Sequence, residues 1–156
     1  AAMPGLEFRP FDEAAIIGCL AQAFEGLTLA KEAQATPLRD AFLQALAKEQ
    51  RAWLDELAPT SIPWPDGRKV KFQYPEQGRD EDGQPNSPDL QVKLHECFAL
   101  KAHPHICEGR VPVKLWLCAP DGKRLEATFN WTAFRANSYP KLKAALQKKH
   151  PGVPWP

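Results

Sequence analysis

The sequence predicts an α+β fold, in which N-terminal helices are followed by a small, mainly antiparallel sheet and a C-terminal helix. Up to Pro59, apolar residues recur at spacings of three and four, which is typical of amphipathic helices. Beyond Pro59 they alternate with polar residues in short runs bounded by Pro and Gly, which is typical of strands and turns. We therefore expect residues 1–59 to form a helical segment that packs on an α+β domain at residues 60–156, the two making one compact unit.

Two helices are predicted in the first segment. Residues 11–25 carry apolar side chains at helical spacing, and Gly26 is suited to end that helix. A second, longer helix is expected to begin at Thr36 and Pro37 and to end before Pro59. Thr can cap a helix, and Pro fits the first helical position because its missing N–H needs no partner there.

The first strands are predicted soon after this helix. Val70, Phe72 and Tyr74 alternate with polar residues, so they mark a half-buried strand. Residues 63–67 have the Pro and Gly of a turn, which would join this strand to a short one at residues 61–64.

The middle of the chain is less regular. Residues 75–89 combine Pro, Gly and Asn with a run of acidic side chains, a composition that predicts a loop. Residues 90–100 are ambiguous, but the spacing of Leu90, Leu94 and Phe98 favours a helix.

A hairpin and a final helix complete the predicted domain. Residues 113–117 and 125–129 alternate between apolar and polar side chains. A tight turn at residues 120–123, with Gly at its permissive position, would join them. Ser138 is expected to cap a last helix over residues 139–149.

Five histidines and cysteines invite comparison with a zinc site. They are His95, Cys97, His103, His105 and Cys107. Zinc accepts such nitrogen and sulfur ligands, and an extended chain would place the last three on one face. No C-x-x-C pair is present and the order matches no common zinc spacing, so a zinc-binding domain is the least favoured alternative. No signature of a catalytic nucleophile is present either, so no catalytic residue is expected.

The charge of the chain is divided unevenly. Residues 1–89 carry 9 basic and 15 acidic side chains, and residues 90–156 carry 11 basic and 4 acidic ones, which gives net charges of −6 and +7. A basic half suits an anionic partner, including nucleic acid, or an acidic neighbouring domain.

Basic and aromatic side chains are interleaved in this basic half, a pattern that suits phosphate contact and base stacking. The candidate phosphate contacts are Arg110, Lys114, Arg124, Lys141 and Lys143. The candidate stacking groups are Trp131 and Tyr139. Trp116 shares a strand face with Lys114, opposite Leu115 and Leu117, and is expected to be exposed or interfacial. The alternative is a solvated helix face beside aromatic residues of the core.

Nothing in the sequence suggests a membrane or an exported protein. No apolar run approaches the roughly 18 residues of a membrane span, and no signal peptide opens the chain. The four cysteines are irregularly spaced, which is typical of reduced thiols in a cytosolic protein. We therefore expect a cytoplasmic protein without a membrane partner.

Short motifs occur in a fixed order over residues 60–156. They are Asp66-Gly67, Glu96 with Phe98, Gly109-Arg110-Val111-Pro112, Phe134 with Ser138-Tyr139, and His150-Pro151 to Trp155-Pro156. In this order they resemble the C-terminal domain of the bacterial HrpB-type ATP-dependent helicases, of the DEAH/RHA class. Asn130-Trp131-Thr132 and Phe134-Arg135 depart from the family pattern, on the aromatic and basic end of the chain.

The resemblance implies a longer parent protein that couples ATP hydrolysis, with magnesium, to movement on RNA. This chain has neither a G-x-x-x-x-G-K-[ST] phosphate loop nor a D-E-x-H box, so it is expected to be a non-catalytic accessory domain without a cofactor of its own. The expected partners are its own helicase core and single-stranded RNA. A small-molecule substrate is not expected. A protein–protein interaction module without nucleic-acid binding is the alternative.

Overall fold

The computed structural model describes residues 12–75 and 86–156. These residues divide into two compact units, a helical unit that ends at Glu56 and an α+β unit that spans Leu57–Pro156. The predicted α+β class is confirmed. The helices are α1 (Glu13–Ala23), α2 (Ala30–Ala35), α3 (Leu38–Gln44), α4 (Lys48–Leu57), α5 (Leu94–Cys97), α6 (Trp131–Asn137) and α7 (Tyr139–Lys149). The strands are β1 (Ser61–Pro63), β2 (Lys69–Lys71), β3 (Asp89–Lys93), β4 (His105–Ile106), β5 (Val111–Pro112), β6 (Lys114–Cys118) and β7 (Arg124–Thr128).

The helical unit begins with the predicted first helix. The Asp12 side chain caps α1 by accepting a hydrogen bond from the backbone N–H of Ala15, over 2.9 Å. α1 packs against α3, and the buried side chains of this unit include Cys19 and Leu46. Phe11, the expected start of this helix, lies outside the described residues.

The predicted long second helix is wrong, because that stretch forms α3 and α4 as separate helices. The break is stabilised by Gln50, whose side-chain oxygen accepts from the backbone N–H of Ala47 over 3.0 Å, just before α4 begins. Thr36 does not cap α3. Its hydroxyl donates to the carbonyl of Glu32 over 2.9 Å, at the end of α2, a helix that the sequence did not predict.

The predicted strand pair at the start of the α+β unit is confirmed, but β2 ends at Lys71, so Phe72 and Tyr74 lie beyond it. β1 and β2 are antiparallel, and the turn between them places Gly67 at φ +86°, a left-handed conformation that favours glycine. The expected loop that follows lies mostly in residues 76–85, outside the described residues.

A three-stranded sheet with the order β3-β6-β7 forms the centre of this unit. β6 and β7 are the predicted antiparallel hairpin, whereas β3 pairs parallel to β6. The helix expected over residues 90–100 is therefore wrong for its first part, which is β3. Leu90 and Val92 are buried and Gln91 is exposed, so the alternation of a strand prevails over the helical spacing.

Two helices complete the core of the α+β unit. Trp131 and Phe134 of α6, with Tyr139 and Leu146 of α7, belong to the same buried cluster as the apolar side chains of β3 and β6. α6 was not predicted; it is capped by the side chain of Asn130, which accepts from the backbone N–H of Ala133.

The predicted cap of α7 is corrected by the contacts of Ser138. Its side chain does not cap α7. The hydroxyl donates instead to Glu126 of β7, over 2.9 Å. Among the described residues, no helix is both long and apolar enough to cross a lipid bilayer.

Candidate nucleic-acid interface

The alternation of β6 divides its side chains between two faces of the sheet. Leu115 and Leu117 are fully buried on the inner face, whereas Lys114 and Trp116 lie half-buried on the outer face. Trp116 pairs with Gln91 of β3, so the outer face continues onto that strand. The predicted separation of Trp116 from the apolar face is therefore present in the structure.

Two cations lie over the ring of Trp116. The Nζ of Lys114 is 4.9 Å from the ring centroid, and the guanidinium carbon of Arg124 is 4.7 Å from it. The indole N–H donates to the carboxylate of Asp89 over 3.0 Å. Cation–π attraction and this hydrogen bond favour this arrangement of the ring and the two cations. The outer face thus presents two ordered positive charges on one aromatic side chain.

Arg124 has a second contact on the same face. Its Nη2 donates to the side-chain oxygen of Gln91 over 3.3 Å. A guanidinium carries five N–H donors in a planar fork, so donors remain for a further acceptor such as a phosphate. The side chain is exposed, so a ligand can reach it.

Phe129 adds an exposed aromatic ring next to these cations. It is 51% exposed, and the Nζ of Lys114 is 6.0 Å from its ring centroid. The sequence pattern grouped Phe129 with Leu125 and Ala127, and Ala127 pairs with Trp116, so this side of β7 belongs to the outer face. Phe129 follows the last residue of β7, Thr128, at the end of that side. An apolar ring this exposed beside a cation is suited to stacking on a base. We call Lys114, Trp116, Arg124 and Phe129 the aromatic sheet face.

Two of the other predicted phosphate contacts lie away from this face. Lys141 and Lys143 lie on α7, whose buried side chains join the core on the inner side of the sheet. The Nζ of Lys143 donates to the carbonyl of Pro156 over 2.7 Å. Arg110 is exposed in the turn between β4 and β5, where its backbone N–H donates to the carbonyl of Cys107.

The two predicted stacking residues lie in the core. Trp131 is 1% exposed and contacts the rings of Phe98 and Phe134, at centroid distances of 5.4 and 5.8 Å. Tyr139 is also buried; its hydroxyl donates to the carbonyl of Pro156 over 2.8 Å, and burial raises the pKa of that hydroxyl. Neither ring presents a face to a base in this structure. We therefore assign Trp131 and Tyr139 a role in packing the core instead of the predicted role in stacking on bases.

The histidines and cysteines of the expected zinc alternative have separate contacts. Nε2 of His103 lies 2.8 Å from the carbonyl of Val113, and Nδ1 accepts from the backbone N–H of Trp131 over 3.1 Å. Cys97 is fully buried, and burial raises the pKa of its thiol. Across residues 12–75 and 86–156, no group of three or more His, Cys, Asp and Glu side chains is arranged to hold a metal ion.

Comparison with known proteins identifies a relationship over most of the chain. Residues 19–156 match the family model described as the C-terminal domain of ATP-dependent helicases, HrpB_C. The ATP-dependent RNA helicase HrpB of Escherichia coli strain K12 is 28% identical over 103 residues, which are 66% of this chain and 12% of that protein.

Two solved structures share the fold. The crystal structure of the E. coli DExH-box NTPase HrpB superimposes with a TM-score of 0.85 at 22% identity, over 99% of this chain and 19% of that one. A crystal structure of the E. coli DEAH/RHA helicase HrpB superimposes with a TM-score of 0.72 at 20% identity. The superposition covers 98% of this chain and 19% of that one.

The chain therefore spans less than a fifth of the length of these relatives. The family match extends over far more than half of the chain and includes the motifs on which the resemblance was based. This chain belongs to the HrpB-type family of ATP-dependent helicase C-terminal domains.

Proposed function

We propose that this chain is the accessory domain of an ATP-dependent RNA helicase, and that it guides single-stranded RNA over the aromatic sheet face. The observation that carries the proposal is the cluster of Lys114 and Arg124 over the ring of Trp116, with the exposed Phe129 beside it. Single strands are bound by cations that follow the phosphates and by aromatic rings that stack the bases. Both groups occur here on one surface.

The contacts of the aromatic sheet face itself favour a guide over a sequence-specific reader. Two cations fixed on one ring can hold consecutive phosphates without reference to the bases. Stacking on Phe129 tolerates any base, because every base has a π-face.

The motor belongs to the remainder of the parent protein in this proposal. ATP and magnesium would bind in that helicase core, which would also be the first partner of this domain. The parent would act on RNA in the cytoplasm, and this chain would contribute no catalytic residue.

RNA binding by the 156-residue chain, titrated in salt, tests the proposal. Binding should weaken steeply as salt rises, because each phosphate contact releases counterions. Changing Lys114→Glu and Arg124→Glu together should flatten the slope of log K against log salt by about 1.4, since a single-stranded contact contributes about 0.7. Lys101→Glu, an exposed residue outside the aromatic sheet face, is the matched control for the charge of each single substitution, Lys114→Glu or Arg124→Glu, which should flatten the slope by about 0.7.

Three further outcomes are informative. Phe129→Ala should weaken binding without changing the salt slope. An equal effect of Lys101→Glu would show that the basic half acts only through its total charge, and would refute the aromatic sheet face as the site. Lys141→Glu tests whether α7 contributes a phosphate contact, as the sequence predicted for Lys141 and Lys143.

Docking to the helicase core is the second candidate function. Ile17 and Leu29 of the helical unit are 58% and 62% exposed, and apolar side chains this exposed are suited to a protein contact. If the chain fails to bind RNA even at low salt, docking becomes the favoured function. Ile17→Ser with Leu29→Ser should then reduce association with the core.

A further inference from the structure

A cavity of about 200 Å³ borders the aromatic sheet face. Three strands contribute to its wall through Val70, Gln91, Val92 and Cys118, and α5 contributes Glu96. Gln91 pairs with Trp116, and Cys118 pairs with Arg124, so the cavity and the aromatic sheet face share a border. The proposed function does not use this cavity.

The charges of the cavity do not suit a phosphate. Glu96 lines it and forms an ion pair with Arg68, which also pairs with Asp66 at 3.0 Å. Lys93 also lines the cavity, so Arg68 and Lys93 are balanced by the carboxylates of Glu96 and of Asp66 beside it. An anion placed here would lie beside a carboxylate, so a neutral ligand with hydrogen-bond donors fits better.

The size and lining of the cavity suit a flat heterocycle. Val70, Val92 and Cys118 provide apolar contact, whereas Gln91 and Glu96 provide hydrogen-bonding groups. Pockets for drug-sized ligands start at about 300 Å³, so this cavity takes a smaller group. One base of a nucleotide is such a group, and its sugar and phosphate would remain outside.

We propose that this cavity receives one unstacked nucleobase of the strand that lies on the aromatic sheet face; this inference rests on the proposed function. Proteins that bind single strands splay bases out and recognise them through their hydrogen-bonding edges. The side chain of Gln91 accepts from Arg124 over 3.3 Å, which joins the cavity wall to a candidate phosphate contact. A nucleotide held by Arg124 would therefore have its base at the mouth of the cavity.

The carboxylate of Glu96 gives the cavity a preference among bases. One of its oxygens contacts Arg68, and a carboxylate has a second oxygen that can accept a hydrogen bond. Exocyclic amino groups donate to such an oxygen, as in the pairing of Glu with the amino group of cytosine. Cytosine, adenine and guanine carry this group, whereas uracil does not. The cavity should therefore disfavour uracil.

Titration with nucleoside monophosphates, followed by methyl NMR, tests the inference. Cytidine, adenosine and guanosine monophosphates should shift the methyl resonances of Val70 and Val92, and uridine monophosphate should do so about tenfold more weakly. Val70→Phe fills the cavity and should abolish the shifts at Val92. Gln91→Leu, at an exposed strand position, should weaken them without unfolding the chain.

RNA binding provides the separate readout. Val70→Phe should lower the affinity for a cytidine oligonucleotide roughly tenfold, with an unchanged salt slope, because no phosphate contact is lost. If no mononucleotide shifts the two valines, the nucleobase cavity is refuted even where RNA binds. If mononucleotides shift them but RNA fails to bind, the cavity is supported and the proposed guiding function is refuted.

Discussion

His103 and Trp131 are joined by a hydrogen bond in which the backbone N–H of Trp131 donates to Nδ1 of His103, over 3.1 Å. Nδ1 must be unprotonated to accept, so Nε2 carries the proton and donates to the carbonyl of Val113 over 2.8 Å. Neutral His103 therefore connects the start of α6 to the chain just before β6. Burial lowers the pKa of His103 below its ordinary value of 6.5; the hydrogen bond to Val113 opposes this shift, and the nearby His105 adds to it.

This arrangement predicts that the α+β unit loses stability in mild acid. Because the folded pKa is depressed, the unfolded chain binds the proton more tightly. The contribution of His103 is thus complete above about pH 6.5 and is lost as the pH falls below that value. NMR titration of the imidazole measures the pKa directly, and thermal melts between about pH 7.5 and pH 5 measure the loss.

His103→Gln provides the comparison for this prediction. Its melting temperature should be lower at neutral pH and should fall less on acidification than that of the unchanged protein. A folded pKa for His103 at or above 6.5 would contradict the prediction.

Adjacent residues of β6 should respond differently to substitution. Leu117→Ala removes a fully buried side chain and should destabilise the α+β unit by about 2–5 kcal/mol. Trp116→Phe keeps an aromatic ring but removes the N–H that donates to Asp89. It should cost only about 1 kcal/mol and should weaken RNA binding. Urea melts and binding titrations of both variants measure the contrast, and equal losses of stability would contradict the assignment of faces.

The sequence predicted the parts of this fold that depend on local pattern. The hairpin of β6 and β7 followed from alternation and from the glycine of its turn, Gly122, which has φ +86°. β3 was missed because its partner is β6, more than twenty residues away, and parallel pairing leaves no local signal. The long helix is interrupted at Ala47, whose backbone N–H donates to the side-chain oxygen of Gln50, a contact that apolar spacing does not reveal.

The part of the candidate site that depends on local pattern was also predictable from the sequence. Arg124 directly follows the predicted turn and Lys114 lies on the first predicted strand of the hairpin, where alternation separated Trp116 from the core. Asp89 and Gln91 were missed together with β3, because their place beside Trp116 depends on the parallel pairing. Trp131 was mistaken for a surface residue, because α6 was not recognised and its buried face was therefore not apparent.

Three successive residues in the turn after β4 have a left-handed backbone. They are Cys107, Glu108 and Gly109, with φ values of 52°, 54° and 83°. Only glycine adopts this conformation without strain. Glu108→Gly should therefore raise the free energy of unfolding, by up to about 1 kcal/mol once the added freedom of the unfolded chain is subtracted. Chemical denaturation measures the change.

Gly109→Ala should act in the opposite direction, with a loss of about 1 kcal/mol. A Cβ atom at Gly109 would meet no atom within 4 Å, so the loss would come from the backbone alone. Gly152→Ala is the matched control, because its Cβ would also meet nothing and its φ lies outside the left-handed region. Destabilisation by Gly152→Ala of equal size would contradict this account.

The last residues are tied to α7 by two hydrogen bonds to one carbonyl. The hydroxyl of Tyr139 and the Nζ of Lys143 both donate to the carbonyl of Pro156, over 2.8 and 2.7 Å. The neighbouring Trp155 is 8% exposed and donates its ring N–H to the carbonyl of His150. The tail is thus part of the packed unit.

Tyr139→Phe should destabilise the α+β unit by about 1 kcal/mol, because it removes the hydrogen bond that the buried Tyr139 hydroxyl donates to Pro156 while the ring still packs. Tyr74→Phe is the matched control. Its hydroxyl donates to the carbonyl of Pro59 over the same 2.8 Å, but the side chain is 44% exposed, so water can replace the lost donor. Hydrogen exchange should show faster opening of the amides around Trp155 in Tyr139→Phe alone. Unchanged exchange there would mean that the tail is held by the packing of Trp155 and not by the hydrogen bonds to Pro156.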